Sequence, residues 1–261
     1  MKLEVPTLAS LFAEGKKASV VFWVGCAGSF DDRAKKITKA FVKIMNHTKT
    51  SFAVLGTEES CTGDPAKRAG NEFLFQTQAL QNITALDKYE VTKIVTTCPH
   101  CFNTLKNEYP ELGGNYNVMH HTQFLKSLIK EGSLKVEGGK YKGKRITFHD
   151  PCYLGRANKI FEAPRSLIKK LDAELVEMKS CKTKGLCCGA GGAQMFKDAE
   201  VGTKEVNIER TEQALDTQPN IIAAACPFCN TMMTDGIKNK KQEDSVKIMD
   251  VAELIANANN L

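Results

Sequence analysis

The sequence predicts an α/β protein built from two pseudo-symmetric copies of one parallel-sheet unit, with helices on both faces of each sheet. Three observations predict it. Short apolar runs alternate with amphipathic segments along the chain, four segments recur in the same order in both halves, and cysteines follow the predicted strands.

In the first half, residues 20–24 form an apolar run typical of a buried parallel strand. Residues 32–47 place Ala34, Ile37, Phe41, Ile44 and Met45 at helical spacing, which gives one apolar face. Strands are expected at 51–55 and 94–97, with a long helix at about 65–86 between them. A last strand at 117–120 leads into a helix at 122–130. The second half repeats this order: strand 145–149, helix 161–171, strand 174–178, helix at about 197–216, strand 221–225, and a closing strand 247–250 with helix 251–258.

The repeat is explicit in the residues. Val20-Val21-Phe22-Trp23-Val24-Gly25-Cys26 aligns with Ile146-Thr147-Phe148-His149-Asp150-Pro151-Cys152, and Cys61-Thr62-Gly63 with Cys187-Cys188-Gly189. Cys98-Pro99-His100-Cys101 aligns with Cys226-Pro227-Phe228-Cys229, and Val118-Met119-His120 with Ile248-Met249-Asp250. The expected division is a first unit at 1–135 and a second at 145–261. Residues 136–144, rich in Gly and Lys, are the expected linker.

Composition sets the class of chemistry. The chain has 261 residues, of which 42% are hydrophobic and 25% charged, as in globular proteins. Its formal charge of +6 is spread along the sequence. No basic stripe with interleaved aromatics appears, so no nucleic-acid partner is expected. The opening residues lack the apolar core of a leader, and no apolar run nears the ~18 residues that span a membrane. A cytoplasmic location without membrane insertion is therefore expected. In a reducing compartment the 10 cysteines point to metal or redox work rather than to disulfides.

Ligands of open α/β sheets sit beyond the carboxyl ends of the strands, and the cysteines fall there. The second half supplies Cys152, Cys187, Cys188, Cys226 and Cys229, with spacing C-x34-CC-x37-C-x2-C. A tetrahedral zinc site gains nothing from a fifth thiol, whereas a multinuclear iron–sulfur cluster can use one. The glycines at 189, 191 and 192 let two neighbouring thiols face one point. The first half supplies Cys26, Cys61, Cys98 and Cys101, with Thr62 in place of the fifth. Four thiols suit a cubane 4Fe–4S cluster or a zinc ion, and spacing does not separate the two.

These residues resemble the cysteine-rich CCG domain of the heterodisulfide reductases and their relatives. The likeness covers nearly the whole chain. Trp23-Val24-Gly25-Cys26-Ala27-Gly28-Ser29-Phe30-Asp31-Asp32, Cys61-Thr62-Gly63-Asp64-Pro65 and His149-Asp150-Pro151-Cys152-Tyr153-Leu154-Gly155-Arg156 resemble the branch associated with electron-transfer flavoprotein and quinone reduction.

The resemblance implies a noncubane 4Fe–4S cluster held by Cys152, Cys187, Cys188, Cys226 and Cys229. It also implies an iron–sulfur oxidoreductase subunit working in a complex, like the subunit of heterodisulfide reductase that carries the CCG domains. Its partners would be a ferredoxin-like iron–sulfur subunit and a membrane cytochrome b or flavoprotein subunit, which would hold it at the inner membrane. Electrons would pass between a flavoprotein-side donor and quinone. Thr62 departs from members with two complete copies, so a relay is favoured over two-cluster disulfide cleavage. Thiol–disulfide reductase and zinc-stabilised scaffold are the alternative expectations.

Other residues carry smaller expectations. His149 is expected beside the cluster, hydrogen-bonding a sulfide or carrying protons. His120 and His121 end a strand at the same edge as the thiols, Trp23 is expected in the core, and His100 is expected to face solvent. Cys181 reads as a loop thiol outside the set, while Arg33 and Arg156 flank the first cysteine of each copy.

Overall fold

The computed structural model describes residues 3–198 and 201–261. Its first half holds strands β1 (Val20–Trp23), β2 (Phe52–Ala53), β3 (Lys93–Thr96) and β4 (Asn117–His120). The second holds β5 (Arg145–Phe148), β6 (Glu174–Val176), β7 (Ile221–Ala224) and β8 (Lys247–Asp250). Each set forms one four-stranded sheet, in the orders β2-β1-β3-β4 and β6-β5-β7-β8, and every pairing is parallel. The two orders are the same permutation, as a duplicated unit requires.

The central strands are apolar throughout because both of their faces are covered. Val20, Phe22 and Val95 turn to one side of the first sheet, and Val21, Trp23 and Ile94 to the other. Helix Glu72–Lys88 covers the outer face of this sheet with Phe75, Ala79, Ile83 and Leu86. Helices Val206–Leu215 and Pro227–Asn239 cover the outer face of the second with Ala214, Met233 and Ile237.

Between the sheets lies one shared core built from four helices: Asp32–His47, His121–Lys130, Glu162–Lys169 and Val251–Ala258. They pack in crossed pairs. The helix after β1 meets the last helix of the second half, and the helix of 162–169 meets the last helix of the first half. That reciprocity is a pseudo-twofold axis. Two capping boxes stand close to it, since His120 and Asp250 each accept from the first turn of the helix they begin. His121 also meets Asp250 across the halves, Nε2 to Oδ1 at 3.0 Å.

The segment 136–144 is drawn into this core. Tyr141 is buried in it, and Lys140 donates from Nζ to the carbonyl of Asn257. The Arg33 guanidinium also crosses the halves, donating to both oxygens of Glu253 at 2.9 and 2.7 Å and to the carbonyl of Ile248 at 2.9 Å. It fastens the two copies together rather than flanking the thiols.

Two predicted helices differ from those observed. The helix expected at 65–86 is two helices, Asp64–Arg68 and Glu72–Lys88. The chain turns at Gly70, and Asn71 starts the second helix by accepting from Leu74 N at 3.0 Å. The helix expected from 197 begins only at Val206, after a short turn at Gln194–Phe196. Val201, Gly202 and Thr203 are weak helix formers, and residues 199 and 200 lie outside the described residues. The strand expected at 174–178 stops at Val176, because Glu177 turns to accept from Arg165. Among the described residues no helix is long and apolar enough to cross a membrane.

Candidate metal centre

All nine cysteines that the repeat singles out gather at the carboxyl ends of the strands. Cys26 lies in helix Gly25–Phe30, which starts after β1. Cys98 and Cys226 cap the helices that follow β3 and β7, and Cys101 and Cys229 lie in their first turns. The loops after β2 and β6 deliver Cys61 and the Cys187–Cys188 pair.

In the second half the thiols form a connected chain. Cys152 contacts Cys187, Cys187 its neighbour Cys188, Cys188 Cys229, and Cys229 Cys226. The Cys188 and Cys229 sulfurs lie 3.2 Å apart. Gly189 makes the turn by adopting φ +91°, and its N–H donates to the Cys187 sulfur at 3.3 Å. Hydrogen bonds from Cys152 and Cys188, joined by that N–H, push Cys187 far below the usual thiol range, so it is a ready thiolate. Cys188 is pushed up to about 12, chiefly because it gives its proton to Cys187.

The first half repeats this with one thiol fewer. Cys26 hydrogen-bonds Cys61, whose pKa falls to about 7, and Cys98 hydrogen-bonds Cys101. At the fifth position the Thr62 hydroxyl donates to the Cys101 sulfur at 3.8 Å. A β-carbon at Gly25, where φ is +77°, would stand 3.3 Å from that sulfur, so the chain passes close over the site. Asn82 and Tyr109 fix the loop. Asn82 donates to the carbonyl of Cys61 at 2.9 Å, and the Tyr109 hydroxyl to that of Thr62 at 3.2 Å.

The two thiol groups touch. Cys98 hydrogen-bonds Cys226 at the pseudo-twofold axis, so nine sulfurs form one network. Cys98, Cys101, Cys188, Cys226 and Cys229 are buried, whereas Cys26, Cys61, Cys152 and Cys187 are half-buried. Each group thus has a sealed inner side and an outer side open to approach.

His100 is a correction. Rather than facing solvent, it is 7% exposed and lies where the two halves meet. Its Nδ1 pairs with Asp64 Oδ2 at 2.9 Å, and its ring stacks against Tyr153 with centroids 4.3 Å apart. Burial disfavours its charged form, but Asp64 and the thiolates of Cys98 and Cys187 outweigh that and raise its pKa. Its replacement by Phe228 in the other copy reflects an asymmetric junction rather than solvent exposure.

A second layer of charge fixes the motif His149-Asp150-Pro151-Cys152. Asp150 accepts two bonds from Arg165, at 2.7 and 2.8 Å, and one from Lys182 N at 2.7 Å. This anchors the loop that leads to Cys187. Arg210 donates from Nε to His149 Nδ1 at 3.0 Å and from a terminal guanidinium nitrogen to the carbonyl of Ser180 at 2.7 Å. Sequence reasoning passes over Arg165, Arg210, Asn82 and Tyr109. Nothing in their spacing marks them, and only the i,i+3 position of Arg210 and Gln213 on a helix hints at an inward face.

The remaining expectations resolve plainly. Trp23 is fully buried in the core. His120 and His121 are buried in cap and cross-half contacts, away from the metal-ligand groupings found among the described residues. Arg156 is exposed, and Cys181 lies half-buried in its loop.

The donor set fits a metal–sulfur group. Soft thiols converge, two of them already held as thiolate, while buried His149 Nε2 faces the sulfurs without a hydrogen-bond partner among the described residues. Such a fold and sulfur site define a cysteine-rich, metal-binding α/β protein.

The family model described as the cysteine-rich domain, CCG, matches twice, at residues 20–106 and 146–234. This chain belongs to that family. It is 46% identical over 254 residues to the probable iron-sulfur-binding oxidoreductase FadF of Bacillus subtilis, covering 97% of this chain and 36% of the relative. It is 44% identical to the EtfAB:quinone oxidoreductase of Syntrophomonas wolfei, covering 93% and 34%. It is 35% identical to one subunit of the dihydromethanophenazine:CoB–CoM heterodisulfide reductase of Methanosarcina barkeri, covering 93% and 59%. The chain thus spans about a third of the two bacterial relatives and under two thirds of the archaeal one.

Proposed function

We propose that this chain is the iron–sulfur electron-transfer part of an oxidoreductase complex, akin to the CCG-bearing subunit of heterodisulfide reductase. The observation that carries the proposal is the single network of nine sulfurs at the carboxyl ends of two sheets, with the Cys98–Cys226 contact joining its halves. In this reading Cys152, Cys187, Cys188, Cys226 and Cys229 hold a noncubane 4Fe–4S cluster. Cys26, Cys61, Cys98 and Cys101 hold a second 4Fe–4S cluster or a zinc ion. The two units are 1–135 and 145–261, joined by 136–144.

A bound cluster supplies one-electron chemistry at a potential set by its ligands and surroundings. The chain's own residues do the rest. Thiolates at Cys187 and Cys61 are ready donors, the salt bridges of Arg165 hold the loop in place, and the apolar core behind the thiols excludes water. The names of the relatives support electron flow between a flavoprotein-side donor and quinone. A ferredoxin-like subunit and a membrane cytochrome b or flavoprotein subunit would then be the partners, with the chain at the inner membrane through them. A second reading, thiol–disulfide reduction, is favoured by one observation: Cys26, Cys61, Cys152 and Cys187 face an approachable side.

The test is iron, zinc and sulfide analysis with EPR on anaerobically purified protein and on Cys188→Ser. Iron and acid-labile sulfide are expected, with a cluster spectrum that the substitution alters. Zinc without iron would instead indicate a scaffold, and an unaltered spectrum would remove Cys188 from the ligand set. Turnover of small disulfides by the protein alone would favour the reductase.

A further inference from the structure

His149 ends β5, three residues before Cys152, and is completely buried. Its two ring nitrogens have different surroundings. Nδ1 accepts a hydrogen bond from Arg210 Nε at 3.0 Å. A guanidinium keeps its protons in proteins, so the bond runs in one direction only. With Nδ1 committed as an acceptor, the ring proton resides on Nε2. That Nε2–H is buried and has no partner among the described residues, and it lies within 4.8 Å of the sulfurs of Cys188 and Cys229. A nitrogen carrying this proton has no lone pair to give a metal, so proximity to two thiols does not make it a ligand.

The other copy has a matching feature. Trp23 aligns with His149 at the end of the corresponding strand, is fully buried, and leaves its indole N–H without a partner among the described residues. It packs in the same cluster of side chains as Cys98 and Cys101. Both copies therefore keep one unpaired N–H at the same place in the fold. An unpaired buried donor is costly in a folded protein, and a bound acceptor removes that cost.

We propose that His149 donates a hydrogen bond from Nε2 to a sulfur of the group held by the second-copy thiols, with Arg210 as the positioning residue that fixes the tautomer. The proposal rests on the reading of that site as an iron–sulfur centre. A donor aimed at cluster sulfur stabilises the more negatively charged, reduced state, so it raises the reduction potential. Arg210 has the position of a second residue held firm behind a metal site, locked in turn by Ser180 and Gln213.

The experiment is a potentiometric EPR titration of the anaerobically loaded full chain beside its His149→Phe and His149→Gln variants. His149→Phe is expected to retain its iron and sulfide while the one-electron reduction equilibrium weakens about tenfold, a fall of about 59 mV. His149→Gln, whose amide can present N–H at a similar place, is expected to recover most of that fall. An unchanged potential in His149→Phe with an intact cluster would overturn the proposal. So would iron lost in His149→Phe and restored in His149→Cys, which would make the histidine a ligand.

Pulsed EPR on the unmodified protein in heavy water gives an answer even where a variant fails to fold. An exchangeable deuteron coupled to the cluster, without the strong coupling of a directly bound nitrogen, is expected. The directly bound nitrogen signal, or no coupled deuteron, would overturn the proposal. Protein with neither iron nor sulfide would instead overturn the cluster reading on which it rests.

Discussion

Thr62 and His120 show how much a single position decides. Thr62 occupies the place of a fifth thiol and already reaches the Cys101 sulfur. Thr62→Cys should therefore complete the first copy, and EPR of the anaerobic protein is expected to gain a second signal resembling that of the five-thiol site. His120 is buried beside His121, and burial with that neighbour holds its pKa well below the ordinary value. The sign follows from proton counting. The unfolded chain binds a proton near pH 6.5 that the folded chain refuses, so this contribution to stability is present above pH 6.5 and is lost on acidification. Denaturant unfolding of the metal-free protein should show stability falling from pH 7 towards pH 5. His120→Asn keeps a capping side chain and should flatten that slope.

Helices and loops carry the next level, and here the sequence is partly legible. The strands, the helix 32–47 and the closing helix 251–258 are readable because buried parallel strands are apolar runs and amphipathic helices repeat their apolar face. The convergence of the thiols is readable from their place after the strands. Arg165 and Arg210 are not, because an inward-facing arginine looks like a solvated one until the partner carboxylate or ring is known. His100 misleads for the same reason: its environment comes from Asp64 and Tyr153, which lie 36 and 53 positions away.

Close approach of the helices Val206–Leu215 and Pro227–Asn239 depends on Gly236, where an added methyl would collide with Thr211. Gly236→Ala should cost about 1–3 kcal/mol by overpacking, measured by urea unfolding. Because Arg210 lies on the displaced helix, His149 would lose alignment as well.

For the whole molecule, the shared core between the sheets governs cooperativity. Residues from both halves fill it, so the halves lack separate interiors and a single unfolding transition is expected. Arg33 ties the halves through Glu253 and the Ile248 carbonyl in a partly buried setting. Arg33→Met should lower stability by roughly 1–3 kcal/mol, because Glu253 is left without its partner. Calorimetry should still give one transition, and two resolved transitions would show that the halves unfold independently.

The reciprocal pairing of helices has a consequence for what mutation can do here. The same arrangement in a dimer of identical chains would oblige every substitution to occur on both sides of the axis at once. Carried on one chain, the two sides vary separately. Threonine can face cysteine, tryptophan can face histidine, and histidine can face phenylalanine across an otherwise matched frame. Continuity of the chain is what permits two neighbouring sulfur sites to differ in ligand number and hydrogen bonding while staying in contact.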